Sequence, residues 1–159
     1  MTFGAYIELA VRCLLIVLFL PFSALDKIID CRGAVAQAKQ IVPSAGPAAV
    51  LIVIGLAVEI FMPLGIVTGI ADRLAGFVLS GYCVITALLW KRFWVPGDFW
   101  RVGESKGRDL FWDFLKNLSL AGGFLLVTFG TTDTTVGRFL AHPFASSHPY
   151  AATGQKEQP

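Results

Sequence analysis

The sequence predicts an all-α integral membrane protein: a four-helix bundle with a short interfacial segment after helix one and a mobile C-terminal tail. The chain of 159 residues is 55% hydrophobic and only 15% charged, which is unusual for a soluble protein of this length. Most of its charges lie between apolar stretches that are each close to the roughly 20 residues needed to cross a bilayer. These stretches are Leu9–Leu25, Ala48–Ile70, Leu74–Leu89 and Phe111–Val127.

From these stretches we expect one domain over residues 1–130. Its helices are expected at about 7–27, 48–70, 74–92 and 110–129. The segment Gly33–Val42 is expected to form a short helix at the membrane interface. The connection Ala71–Arg73 is so short that helices two and three must be antiparallel neighbours. Residues 131–159 are polar and are expected to form a flexible tail.

Basic residues predict the orientation of the bundle. Lysine and arginine are concentrated in the loops after helices one and three, which the positive-inside rule places in the cytoplasm. Both termini are then expected in the periplasm, and the protein is expected in the bacterial inner membrane. The four tryptophans lie on the side of the basic loops and are expected to anchor it at the interface: Trp90, Trp94, Trp100 and Trp112. No basic run is long enough to indicate nucleic acid binding.

Glu59 is the residue that most strongly indicates a site. It lies midway along Ala48–Ile70, which is otherwise free of charge. A charge at bilayer depth costs at least about 2.5 kcal/mol, so it usually faces a bundle interior or a cavity. Pro63 removes the intrahelical donor to the Glu59 carbonyl, and it either opens a polar notch beside the acid or simply bends the helix.

Arg12 is the candidate partner of Glu59. Because Glu8 lies four residues before it, Arg12 either pairs with Glu8 or reaches Glu59 as a buried ion pair. Lys116 and Asn117 enter helix four from the cytoplasmic side, and Asn117 is expected to hydrogen-bond across helices. The predicted buried polar site therefore comprises Arg12, Glu59, Lys116 and Asn117.

Four further polar residues are secondary candidates. Lys27 is expected to end helix one and to extend its ammonium group toward the membrane surface. Asp72 and Arg73 are expected to mark a helix boundary, with the acid favouring the start of the next helix. Asp113 is expected to pair with Lys116 at a spacing of i,i+3.

These segments together resemble the DoxX family of small four-helix membrane proteins, from about Arg12 to about Gly123. The resemblance rests on their order and spacing rather than on any one of them. They are Arg12, Phe22–Lys27, Glu59, Gly69–Arg73 and Lys116–Gly123. The family often has a histidine near the end of helix three, whereas Leu89–Trp94 contains none.

The resemblance implies a membrane subunit or partner of a quinone-linked redox system, in sulfur or thiol oxidation or in oxidative-stress defence. The sequence contains no phosphate loop, dinucleotide fingerprint, haem-attachment motif or Cys/His metal spacing. We therefore expect no covalently bound cofactor and no metal, with a quinone as the candidate ligand. Whether the chain is itself catalytic stays open.

The expected partners are the lipid bilayer, a redox subunit and a second copy of the chain through the close-packing face Gly65–Gly69. Two other functions stay open at this point. The first alternative is a small oligomeric transporter or export helper that uses Glu59, and the second is a purely structural membrane anchor.

Overall fold

The computed structural model describes residues 3–130 and 135–150, and the regular secondary structure in those ranges is helical. The α-helices within the described ranges are α1 (Phe3–Ile16), α2 (Ala24–Ile29), α3 (Cys31–Ala38), α4 (Ala45–Thr68), α5 (Asp72–Trp90), α6 (Lys106–Phe129) and α7 (Thr135–Ala141).

Four spans in the described part of the chain are long and apolar enough to cross a membrane: Phe3–Ile29, which combines α1 and α2, and the helices α4, α5 and α6. The predicted all-α membrane fold is therefore confirmed. Large hydrophobic side chains such as Phe3, Leu14, Val53 and Leu126 are exposed on the outside of the bundle. An apolar surface of this kind is suited to contact with lipid tails.

The first span is not the single helix predicted over 7–27. A π-helical turn, Leu18–Ser23, separates α1 from α2, and Leu20 within it has extended backbone angles (φ −121°, ψ 115°). Pro21 explains the interruption, because proline has no N–H to donate and its ring clashes with the preceding turn. By contrast, α4 continues through Pro63 as one helix.

The core of the bundle is formed where α5 packs against α4 and α6. Its buried side chains include Phe19, Ile66, Leu79 and Phe124. The chain reverses between α4 and α5 through Gly69, whose positive φ of 75° is a conformation that glycine adopts without strain. The predicted antiparallel pairing of these two helices follows from this tight turn.

The loop between α5 and α6 is held together by aromatic rings. Phe93 packs against Trp94, Phe99, Phe111 and Phe114, with ring centroids between 5.0 and 6.2 Å apart. Trp100 is 90% exposed at its tip.

The polar start of α6 is stabilised by capping groups. The Asp98 carboxylate accepts hydrogen bonds from the backbone N–H groups of Gly107 and Lys106, and these bonds lower the pKa of Asp98. Ser105 accepts from Arg108 N at 3.2 Å as the N-cap of α6. These contacts explain why α6 begins at Lys106, four residues before the predicted start at 110.

Residues 135–150, which the sequence analysis assigned to a flexible tail, pack on the bundle. Phe139 of α7 contacts the rings of Phe77 and Phe129 at 5.4 and 5.5 Å. Farther along, the Tyr150 hydroxyl donates to the carbonyl of Val67 near the end of α4. The polar composition of the segment concealed this docking, and the rest of the predicted tail, 131–134 and 151–159, lies outside the described residues.

A glycine pair on α5 tests the helix packing. A Cβ atom at Gly76 would lie 2.9 Å from both the Phe124 carbonyl oxygen and Thr128 Oγ1, whereas at Gly81 it would meet nothing within 4 Å. We expect Gly76→Ala to lower the free energy of unfolding by about 1–3 kcal/mol. The matched Gly81→Ala should be neutral or slightly stabilising, because alanine favours helix. Thermal unfolding in detergent measures both; equal effects would contradict the packing.

Candidate functional site

The carboxylate of Glu59 is at the centre of the candidate site. Glu59 lies in the middle of α4 and is only 2% exposed. The Lys27 ammonium nitrogen is 2.8 Å from Glu59 Oε1 and 2.9 Å from Oε2. Because a buried charge is very costly unless it is paired and hydrogen-bonded, this contact makes the burial of Glu59 tolerable. The predicted extension of Lys27 toward the membrane surface is therefore wrong: its charge faces α4.

Two hydroxyl groups also bind the carboxylate. Tyr82 on α5 donates to Glu59 Oε1 at 2.8 Å, and Ser23 donates to the same oxygen at 3.0 Å. Lys27 donates in turn to Ser23 Oγ at 2.7 Å. Ser23, Lys27, Glu59 and Tyr82 are called the Glu59 cluster from here on. It ties the second half of the first span to α4 and α5.

The local sequence explains how these side chains meet. Ser23 and Lys27 are four residues apart in helical backbone after the Pro21 break, so they share one face. Gly55 lies one turn before Glu59 on α4, and a Cβ atom there would be 3.3 Å from Tyr82 Oη. The absence of a side chain at Gly55 leaves the space that the Tyr82 hydroxyl uses.

A cavity of about 690 Å³ opens beside the Glu59 cluster, and all four cluster residues line it. Its walls are mostly apolar and come from the broken segment of the first span, α3, α4, α5 and α6. They include Leu18, Phe19, Leu51, Ile52, Val58, Ile85, Leu89 and Leu120. Sites for small molecules commonly have volumes of about 300–1,000 Å³, apolar walls and a few well-placed polar groups. This cavity has all three properties.

A second polar group lines the cavity toward the α5–α6 loop. Asp113 accepts from Lys91 at 2.9 Å and from Lys116 at 3.2 Å, which confirms the expected contact between Asp113 and Lys116. Tyr82 and Lys91 are nine residues apart in sequence. The two polar groups are therefore separated by about 13 Å along the direction of α5.

Two details of the predicted site differ in the structure. Asn117 donates to the Asp113 carbonyl at 2.9 Å within α6, so the expected hydrogen bond between helices is not the one formed. Lys116 was expected in a buried site, but its side chain is 74% exposed. Its ammonium group reaches Asp113, one helical turn earlier on the same exposed face of α6, and does not enter the bundle.

The predicted ion pair between Arg12 and Glu59 is wrong. Arg12 Nη1 donates to Asp72 Oδ2 and to the Ile66 carbonyl, both at 2.8 Å. Arg12 Nε also donates to Glu8 Oε1 at 2.8 Å, as one of the two predicted alternatives required. Ile66 lies seven residues after Glu59 on α4, so the Arg12 guanidinium is about 10 Å farther along that helix than the Glu59 cluster.

A residue of the C-terminal segment, Ser147, hydrogen-bonds to both members of the Arg12–Asp72 pair. Ser147 N donates to Asp72 Oδ1 at 2.9 Å, and the Ser147 hydroxyl accepts from Arg12 Nη2 at 3.0 Å. Asp72 is fully buried, so it is an ion-pair partner and not only the first residue of α5. At Arg73, the backbone carbonyl accepts from Thr128 Oγ1 at 3.0 Å, which links α5 to α6.

Sequence reasoning missed Tyr82, Ser23 and Ser147. A signal existed for Tyr82, because a hydroxyl in the middle of an apolar span needs a hydrogen-bonding partner. A signal also existed for Ser23, four residues before Lys27. Ser147 had none, since it lies 75 residues from Asp72 in a polar segment.

The fold and the site define a class: a multi-pass helical membrane protein with a buried ion-paired cluster beside an internal cavity. The DoxX family model matches residues 7–92, and the chain belongs to the DoxX family. That match contains Arg12, Asp72 and the Glu59 cluster, whereas α6 with Asp113 lies beyond it. No curated protein and no solved structure matches the chain.

The reassigned partner of Arg12 is tested by two double-mutant cycles. Arg12→Ala and Asp72→Ala are each expected to lower the free energy of unfolding by about 3–5 kcal/mol, because each leaves a buried charge unpaired. The double variant should lose clearly less than the sum of the two. The control cycle, Arg12→Ala with Glu59→Ala, should be additive within about 0.5 kcal/mol. Unfolding in nanodiscs measures both; coupling in the control cycle alone would overturn the assignment.

Proposed function

We propose that this protein is a membrane subunit of a quinone-linked redox system and that it binds the ring of a quinone-class ligand in the cavity beside the Glu59 cluster. The observation that carries the proposal is the cavity itself. It combines about 690 Å³ of space and apolar walls with the polar Glu59 cluster, which lies at what is called the inner end of the cavity from here on. The bundle that contains it has four helical spans able to cross a membrane. A ligand that dissolves in the bilayer is the natural occupant of such a space.

The residues of the chain fit a ring of this kind. Phe19 and Tyr82 line the cavity beside Glu59, and their ring centroids are 6.2 Å apart in an edge-to-face arrangement. Aromatic neighbours of this type favour a flat ligand through stacked or edge contacts. The ligand supplies the electron chemistry when bound, while the chain binds and orients the ring and excludes water from it.

The proposed orientation follows from the basic loops. The Lys91–Asp113–Lys116 group lies at the end of the cavity near the α5–α6 loop. The positive-inside rule favours the cytoplasmic side for this loop, which also carries Arg92 and Arg101. We place the partner redox subunit on the same side. Copurification in mild detergent, with cysteine labelling of the loop in intact cells, tests both statements.

The cavity is tested by filling it. Leu120 on α6 lines the cavity, whereas Leu118 on the same helix does not and is exposed. We expect purified protein in nanodiscs to bind decylubiquinone or menadione saturably, at about one ligand per chain, and Trp90 in the cavity wall to be quenched. Leu120→Trp should weaken binding by about tenfold or more, because the indole occupies the space of the ring. Leu118→Trp should leave affinity unchanged.

A further control separates the quenching signal from binding itself. Trp90→Phe should remove most of the quenching without removing binding measured by calorimetry. Absence of saturable binding, or equal affinities for the Leu120 and Leu118 variants, would refute the proposed function.

A further inference from the structure

The hydrogen atoms of the Glu59 cluster are all in use. Lys27 has three N–H groups, and Tyr82 and Ser23 have one O–H each. Lys27 contacts Glu59 Oε1, Glu59 Oε2 and Ser23 Oγ, between 2.7 and 2.9 Å. The Tyr82 and Ser23 hydroxyls both donate to Glu59 Oε1. Each donor hydrogen therefore has an acceptor inside the cluster.

The acceptors of the cluster are not all in use. Glu59 Oε1 receives three of these hydrogen bonds, whereas Oε2 receives one, from Lys27. A carboxylate oxygen accepts two hydrogen bonds readily, so Oε2 has capacity for one more. The Tyr82 phenolic oxygen donates its hydrogen and retains its lone pairs as well. Because Glu59 and Tyr82 both line the cavity, the cluster has acceptor capacity for a ligand there and no spare donor.

We propose that the cavity selects an aromatic ring bearing a free hydroxyl group, a phenol or hydroquinone, and binds it in preference to the corresponding quinone. The ligand hydroxyl donates to Glu59 Oε2, with the Tyr82 oxygen beside it. This inference rests on the proposed function and names the form of the ligand that the site takes.

The preference follows from the unequal cost of the two ligand forms. A quinone carbonyl accepts only, so at the inner end it meets a carboxylate and a hydroxyl whose hydrogen is already used. At this end it gains a hydrogen bond only if a donor leaves Glu59, which would leave a buried charge partly unpaired. The unpartnered indole N–H of Trp90 lies toward the other end of the cavity, eight residues after Tyr82 on α5. A hydroxyl group adds a bond to a charged acceptor without breaking one, and bonds of that kind are the stronger ones.

The test compares three ligands built on the same tetramethyl-substituted ring. Tetramethylhydroquinone donates, its dimethyl ether keeps the ring but has no O–H, and tetramethylbenzoquinone only accepts. Titration calorimetry of the full chain in nanodiscs, without oxygen, gives the three affinities. We expect the hydroquinone to bind at least about tenfold more tightly than either other ligand, the size expected for one hydrogen bond to a charged group.

A double variant that leaves the net charge unchanged tests whether the Glu59 cluster causes the preference for the hydroquinone. Lys27→Met together with Glu59→Gln removes both charges of the cluster, so no unpaired ion remains. The hydroquinone should then lose its advantage over the ether. The matched control, Lys91→Met with Asp113→Asn, removes the ion pair at the other end of the cavity and should retain the advantage.

The outcomes separate this inference from the proposed function. Equal affinities for all three ligands, or tighter binding of the benzoquinone, would overturn the preference and leave the cavity as a ring-binding site. Loss of the advantage in the Lys91/Asp113 control would also overturn it. No binding of any ligand would overturn the proposed function and the inference together.

Discussion

The ion pair between Lys27 and Glu59 is the interaction on which the rest of the membrane-embedded structure depends. An unpaired carboxylate in the middle of α4 would oppose insertion into the bilayer, so the fold must supply a cation at that depth. Lys27 reaches it because the first span breaks at Pro21 and continues as α2. The cavity lies beside this pair. The polar residues that a ligand would meet there are therefore the same residues that neutralise the buried charge of Glu59.

The second buried pair has a different role. Arg12 and Asp72 join the first span to the turn between α4 and α5, and the Ser147 hydroxyl and backbone close the group from the C-terminal segment. None of these three residues lines the cavity. The pair therefore fixes the arrangement of helices at one end of the bundle, while the Glu59 cluster faces the space in which a ligand is proposed to bind. Because the Arg12–Asp72 pair lies away from the cavity, a ligand that contacts the Glu59 cluster would not have to disturb it.

Hydropathy predicted the four spans, and the short connection predicted the antiparallel pairing of α4 with α5. A short helix after the first span was also predicted, but it covers Cys31–Ala38 rather than Gly33–Val42. The importance of Glu59 was also evident from its isolation in an apolar stretch. Its partner was not, since depth along a helix says nothing about which face a side chain occupies. Lys27 looked like a residue at a helix end, and only the Pro21 break turns it inward. The docking of Ser147 depends on contacts between segments far apart in sequence.

The charge state of Glu59 is the most direct test of this description. Infrared difference spectroscopy of the purified protein in nanodiscs, comparing the native chain with Glu59→Gln at neutral pH, isolates the signal of this one side chain. An ionised carboxylate bound by Lys27, Tyr82 and Ser23 should appear as a carboxylate stretch that the Glu59→Gln variant lacks. It should shift when tetramethylhydroquinone is added. A protonated carboxyl stretch in its place would contradict the ion pair between Lys27 and Glu59. It would also contradict the assignment of Glu59 as an acceptor only.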